Sequence, residues 1–187
     1  MNGKFHQQGV TLNELLLALA VGAVLVGLAV PAFTALTKNN RLITETNTLI
    51  GHINLARSEA IKRNQPVALC RSADPTAANP VCGGSANDWT SGWIVFVDDD
   101  DNGVFDGDLA KLLRRWAPST SVTIRTNSTV NNNLQIDRRG GTNEGGNSGV
   151  FAICDDRGVG SGRQINVGPV GRPELQKPPS DCAAPTP

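Results

Sequence analysis

Residues 9–33, GVTLNELLLALAVGAVLVGLAVPAF, decide how the rest of the chain is read. No charged residue occurs from Leu15 through Leu36, and Leu, Val and Ala dominate, with Gly22 and Gly27 inside the run and Pro31 near its end. At about 1.5 Å rise per residue, roughly twenty such residues match a bilayer core of about 30 Å. Glu14 stands at the front edge, where a charge is costly in lipid unless it is paired. Ahead of the run lies a short polar leader, MNGKFHQQG, ending in Gly9. A secretory signal places its small-residue cleavage site after the apolar core. Here the small residue precedes the core, so a cut at Gly9 leaves the helix on the mature protein. Pro31 removes a backbone donor and predicts a kink or local melting; with Gly22 and Gly27 it makes the segment deformable.

Working outward, the apolar pattern continues at helical spacing from Thr34 to Asn64. Leu42, Leu49, Ile53, Ala56 and Ala60 form one stripe, with Ile43, Ile50 and Ile61 beside it. Asn40, Glu45, Asn47, Asn54 and Arg57 fill the other faces, and Gln65-Pro66 ends the pattern. The membrane helix is thus expected to run on as an amphipathic half that packs its stripe against the following domain. Arg57 and Glu59 read as a solvated rim.

After Pro66 the period changes. Short runs at 67–70, 93–97, 112–116, 122–125, 134–137, 150–154 and 164–167 read as strands, several of them alternating apolar and polar, separated by Gly, Asn, Asp, Ser and Pro. The expectation is a β head of two small antiparallel sheets laid on the helix, which makes the fold class α+β. The closing residues 173–187 are proline-rich and read as extended, held by Cys182 if it pairs.

Composition narrows the function classes. Lysine plus arginine equals aspartate plus glutamate at 17 each in 187 residues, so no excess charge points to nucleic acid or to a cation store. About 150 residues remain outside the leader and apolar run, enough for one modest globular domain. The four cysteines, Cys70, Cys82, Cys154 and Cys182, all follow the apolar run. An even count there points to two disulfides in an oxidising compartment, which places the carboxyl side outside the cytoplasm. Three connectivities are open; sequence order favours Cys70 with Cys82 and Cys154 with Cys182. Without a C-x-x-C pair a zinc site is disfavoured. No histidine follows His52, which excludes a Ser-His-Asp or Cys-His arrangement in the head, and no phosphate loop is present. The chain is therefore not expected to be an enzyme.

The densest polar cluster is DDDDNGVFDGD at 98–108. It partly matches a calcium loop, with oxygen ligands at Asp98, Asp100 and Asn102, then Gly103, then Asp106. The closing glutamate is missing, because Leu109 stands there. The competing reading is a tight hairpin whose aspartates cap backbone amides and stay in solvent. Calcium is the one cofactor this sequence leaves open.

Two resemblances follow from these residues. Gly9-Val10-Thr11-Leu12-Asn13-Glu14-Leu15 resembles the class III leader of type IV pilins and type II secretion pseudopilins. That resemblance implies cleavage between Gly9 and Val10 by a membrane-embedded prepilin peptidase, and N-methylation of Val10. It also implies an assembly role for Glu14, fifth after the cut, pairing with the free amino terminus of a neighbouring subunit. Val10 departs from the family's usual phenylalanine. The second covers much of the head. Residues 54–64, residues 67–72, the Trp93–Asp98 strand with its Asp/Asn/Gly loop, and the Gly162-Arg163-Gln164-Ile165 and Gly171-Arg172 turns resemble the H-type pseudopilin and FimT/FimU minor pilin family.

Together these imply a leader at 1–9, a transmembrane helix at 10–36, an amphipathic continuation at 37–65 and a β head at 66–187. They imply a structural subunit of a type IV pilus or a type II secretion pseudopilus, taking part in assembly initiation or in the tip. It would start as a single-pass inner-membrane protein with its head in the periplasm. Its partners would be other minor and major pilins or pseudopilins, the prepilin peptidase, and the inner membrane with its assembly platform. Some FimT relatives bind DNA through a basic Gly-Arg-x-Arg motif. The matching place here reads Gly171-Arg172-Pro173-Glu174, with an acid where the second arginine belongs, which repels phosphate. Arg163, Arg172 and Lys177 are the DNA contacts this alternative would use, in a late segment that also holds Arg138, Arg139 and Arg157. Arginines paired with Asp155, Asp156 and Asp181 are the plainer reading.

Overall fold

The computed structural model describes residues 9, 11–130, 132–142 and 149–186. Helix α1 spans Leu12–Arg63. Eight strands follow: β1 (Val67–Arg71), β2 (Trp93–Val97), β3 (Leu112–Trp116), β4 (Thr123–Thr126), β5 (Asn133–Ile136), β6 (Gly149–Cys154), β7 (Arg163–Val167) and β8 (Pro173–Gln176). The chain divides into two compact units, Met1–Lys38 and Asn39–Pro187.

In the first unit α1 runs through Pro31 as continuous helix, so the proline does not melt it locally. Proline forfeits one ladder hydrogen bond, and many intact turns on both sides outweigh that loss. Two hydroxyls fold back on the same stretch: Thr34 Oγ1 donates to the Pro31 carbonyl (2.8 Å) and Thr37 Oγ1 to that of Phe33 (3.0 Å). Every large apolar side chain from Leu12 to Leu36 is exposed.

In the second unit the strands form two antiparallel sheets, ordered β3-β2-β1-β5 and β4-β6-β7-β8. The α1 stripe supplies Leu42, Leu49, Ile53, Ala56 and Ala60 to one core with the inward side chains of both sheets: Leu69, Trp93 and Val95 from the first, Ile124, Phe151, Ile153 and Ile165 from the second. Each fully buried Leu, Ile or Phe contributes about 1.5–3 kcal/mol. The α+β class and the two-sheet head stand as read from the sequence. Strand β8 is the addition: Pro173 and Glu174 disguise it, yet a proline is tolerated at the start of an edge strand.

The central strands β1, β2 and β6 are buried along their whole length, so both faces are covered. A disulfide pins the outer cover of each sheet. On the first, Cys70 of β1 joins Cys82, and Phe105 closes over Ala68, Ile94 and Phe96. On the second, Cys154 of β6 joins Cys182. The tail lies across β7, where buried Gln164 accepts from Ser180 N (2.8 Å) and donates through Nε2 to the Thr186 carbonyl (2.9 Å). This is the connectivity that sequence order favours.

Candidate functional site

Thr11 precedes α1 and caps it. Its carbonyl accepts from Leu15 N (3.1 Å), and its hydroxyl accepts from Glu14 N (3.3 Å). Thr11-Leu12-Asn13-Glu14 is thus the T-x-x-E signature of a helix start, with the acid at the third helical position. A carboxylate in the first turn meets the positive end of the helix dipole, which offsets part of its cost. Glu14 is exposed and has no ion pair among the described residues. The backbone therefore accommodates the charge while leaving the carboxylate open to an external amine. Gly9 is exposed; Val10, together with residues 1–8 of the leader, lies outside the described residues. The helix is long and apolar enough to cross a membrane.

The acidic loop after β2 links Asp98, Asp100 and Asn102 to one another, and Asp98 is already engaged by protein donors. Asp98 turns inward, 2% exposed, and accepts from Gly103 N (2.8 Å), Gln135 Nε2 (3.0 Å) and Asn102 N (3.2 Å). Burial raises its carboxyl above the ordinary value, and the bond from Gln135 opposes that rise. Asn102 spends its amide on Asp100 Oδ2 (2.5 Å). The carboxylates that do converge are Asp99, Asp100 and Asp106, with oxygens within 4.8 Å of one another. Lys111 Nζ already sits among them, 2.7 Å from Asp99 and 3.9 Å from Asp106. Lys111 thus offsets part of the charge of an aspartate-rich turn. The spacing in sequence cannot reveal that Asp98 ends a buried strand and faces inward.

The basic residues divide into two places. Arg163 and Lys177 flank the paired Gln164 and Gln176 at one end of β7 and β8. Arg172 lies at the other end, beside Pro173, which pairs with Val167 about four strand steps of roughly 3.3 Å away. The three named arginine and lysine contacts therefore do not form one patch. Arg172 instead joins the turn after β5. Glycine is required at Gly171 because a Cβ there would sit 2.1 Å from the Gly140 carbonyl oxygen. That turn carries Arg138 and Arg139, both exposed, and rests on α1 through Arg57 Nε, which donates to the Gly140 carbonyl (3.1 Å). Among the described residues, Arg138, Arg139 and Arg172 make no ion pair. Arg157 is held by Asp155 (2.6 Å), as the plainer reading expects.

The sequence places Glu45 on a polar face; it is 4% exposed. Its Oε2 accepts from Trp116 Nε1 (2.8 Å) and its Oε1 from Ser119 N (2.8 Å). Two turns further along α1, His52 Nδ1 accepts from Trp93 Nε1 (2.9 Å). Trp93 and Trp116 are cross-strand partners in β2 and β3. Two indole N–H groups on neighbouring strands thus grip two acceptors seven residues apart on one helix. Burial, then the Arg114 charge, holds the His52 imidazole below its ordinary pKa.

Residues 45–171 match the family described as type II transport protein GspH. No curated protein matches the sequence. Two crystal structures of the type IV minor pilin FimU from Pseudomonas aeruginosa share the fold. In one crystal form the identity is 24%, the TM-score 0.57, and the match covers 75% of this chain and 99% of FimU. In the other the identity is again 24%, the TM-score 0.58, and the coverage 78% and 98%. The family match takes in the last third of α1 and all the strands up to β7, more than half of the chain. The protein therefore belongs to the GspH family of type II transport proteins.

Proposed function

We propose that this chain is a minor pilin or pseudopilin, a structural subunit of a type IV pilus or a type II secretion pseudopilus. The observation that carries the reading is the first half of α1. An exposed apolar helix is capped by Thr11 and presents at its start a carboxylate, Glu14, that makes no ion pair among the described residues. Such a surface is stable in lipid, or in a bundle of like helices that replaces lipid. Cleavage after Gly9 and methylation of Val10 would supply the amine that Glu14 meets in a neighbour. The helix would wait in the inner membrane and pass into the filament, while the head contacts other pilins. Catalysis has no part in this reading. Glu14→Gln tests it in cells: the variant should reach the membrane in normal amount and drop out of the sheared filament fraction. Normal incorporation would remove Glu14 from the assembly role.

A second reading, capture of DNA by the head, is favoured by one observation: the turns carrying Arg138, Arg139 and Arg172 meet at Gly140 and Gly171, and these three arginines make no ion pair among the described residues. It predicts binding that weakens steeply with salt and is lost when these three arginines become alanine. The proline and glutamate after Arg172, and the lack of aromatic residues in these turns, weigh against it. Absence of retention at low salt would end this reading.

A further inference from the structure

The two indole grips differ in one respect. Glu45 takes its two donors with a carboxylate, whereas His52 takes Trp93 with the bare Nδ1 of a neutral ring. The indole N–H can only donate, so the ring's proton resides on Nε2. A second proton would have to enter at Nδ1, turning the 2.9 Å acceptor contact into two donors facing each other. The ring is also wedged edge-on between the two indoles, with centroids 5.9 Å from Trp93 and 6.3 Å from Trp116. The charged groups around it do not favour a cation. Strand β2 presents no ionisable side chain, and β3 presents Arg114, which repels an imidazolium. On α1, Glu45 is taken by Trp116 and Ser119, Glu59 by Arg63 and Lys62, and Arg57 by Gly140.

We propose that the Trp93–His52 contact is an acid-sensitive latch between α1 and the first sheet, which opens when His52 takes up a proton, while the Glu45–Trp116–Ser119 grip stays closed. The device is legible because so little else in the protein titrates near neutrality. The sequence has two histidines and no tyrosine, and all four cysteines are in disulfides. By ordinary values only His6, His52 and the amino terminus change charge between about pH 5 and 8. The direction follows from linkage. Neutral His52 is favoured in the fold, so its contribution is complete above the ordinary 6.5 and is lost as pH falls through the lower folded value. Across that window the folding constant falls by at most about tenfold per pH unit. A subunit with this latch would change how its helix is held against its head when the surrounding medium turns acid.

The test uses the full chain in detergent micelles, with indole ¹H–¹⁵N resonances followed from pH 8 to 5 and Trp93 assigned through Trp93→Phe. The Trp93 indole signal should move in a one-proton transition centred below 6.5, the Trp116 signal, whose indole stays bonded to Glu45, should move less, and thermal stability should fall over the same interval. His52→Gln keeps a side-chain acceptor that cannot ionise, so it should abolish the transition. Glu45→Gln should leave it in place. A Trp93 signal that ignores pH, or the same transition in His52→Gln, overturns the latch; the latter would transfer it to His6, the amino terminus or Asp98. Should His52→Gln fail to fold, the imidazole resonances of the unsubstituted chain report the titration directly. A ring that protonates without moving Trp93 also overturns the proposal.

Discussion

Glu45 and Gly103 show how far a single residue's type underdetermines its role. A glutamate among Thr44, Thr46 and Asn47 reads as solvent-facing, and nothing in its local pattern marks the indole and the amide that wait for it more than seventy residues away. Its burial depends on a tertiary partner, which periodicity does not encode. Glu45→Ala leaves the Trp116 indole and the Ser119 amide without acceptors, and should cost about 2–3 kcal/mol by urea denaturation. Glu45→Gln should cost less, because one oxygen remains. Gly103 was legible as a turn residue. Its φ of +72° belongs to the left-handed region, and a Cβ there would lie 2.2 Å from Asn133 Nδ2. Gly103→Ala should therefore destabilise the head by about 1–3 kcal/mol, also read from the urea midpoint. A smaller cost would mean that the loop after β2 shifts easily.

Among the elements, those with strong periodicity were read from sequence and those with mixed signals were not. The α1 stripe recurs at helical spacing, and all five of its residues are buried. Strands β2 and β6 are continuous apolar runs because they are covered on both faces. Strand β8 was missed because Pro173, Glu174 and Gln176 carry little strand signal, and its pairing with β7 supplies what its composition lacks. Pro31 left local melting open where the helix is in fact continuous, since a proline's local cost says little about a helix with many turns on each side. The tail held by Cys154–Cys182 is an element in its own right. That disulfide spans 28 residues, for which chain entropy gives about 3–4 kcal/mol. Cys182→Ala with Cys154→Ala should lower stability by about that amount and raise amide exchange in β6 and β7 first. Unchanged exchange there would mean that the Gln164 contacts alone hold the tail.

At the scale of the whole molecule, the sequence yields an anchor, a two-sheet head and a family resemblance, and the GspH match agrees. It does not yield the grouping of charges, because that depends on which turns the sheets bring together. In the calcium-pattern loop Asp98 faces inward, and Lys111 sits among the exposed carboxylates of the acidic turn. Millimolar calcium should therefore leave the melting temperature of the folded protein unchanged, and a rise of several degrees would show that a cation displaces Lys111. The central claim is that the apolar helix is kept after maturation and built into a filament. Intact-mass and amino-terminal analysis of the protein recovered from the filament fraction tests it most directly. The account predicts a chain that begins at N-methylated Val10 and retains everything after it. A chain that still begins at Met1, or one that begins beyond Pro31 with the helix lost, would contradict it.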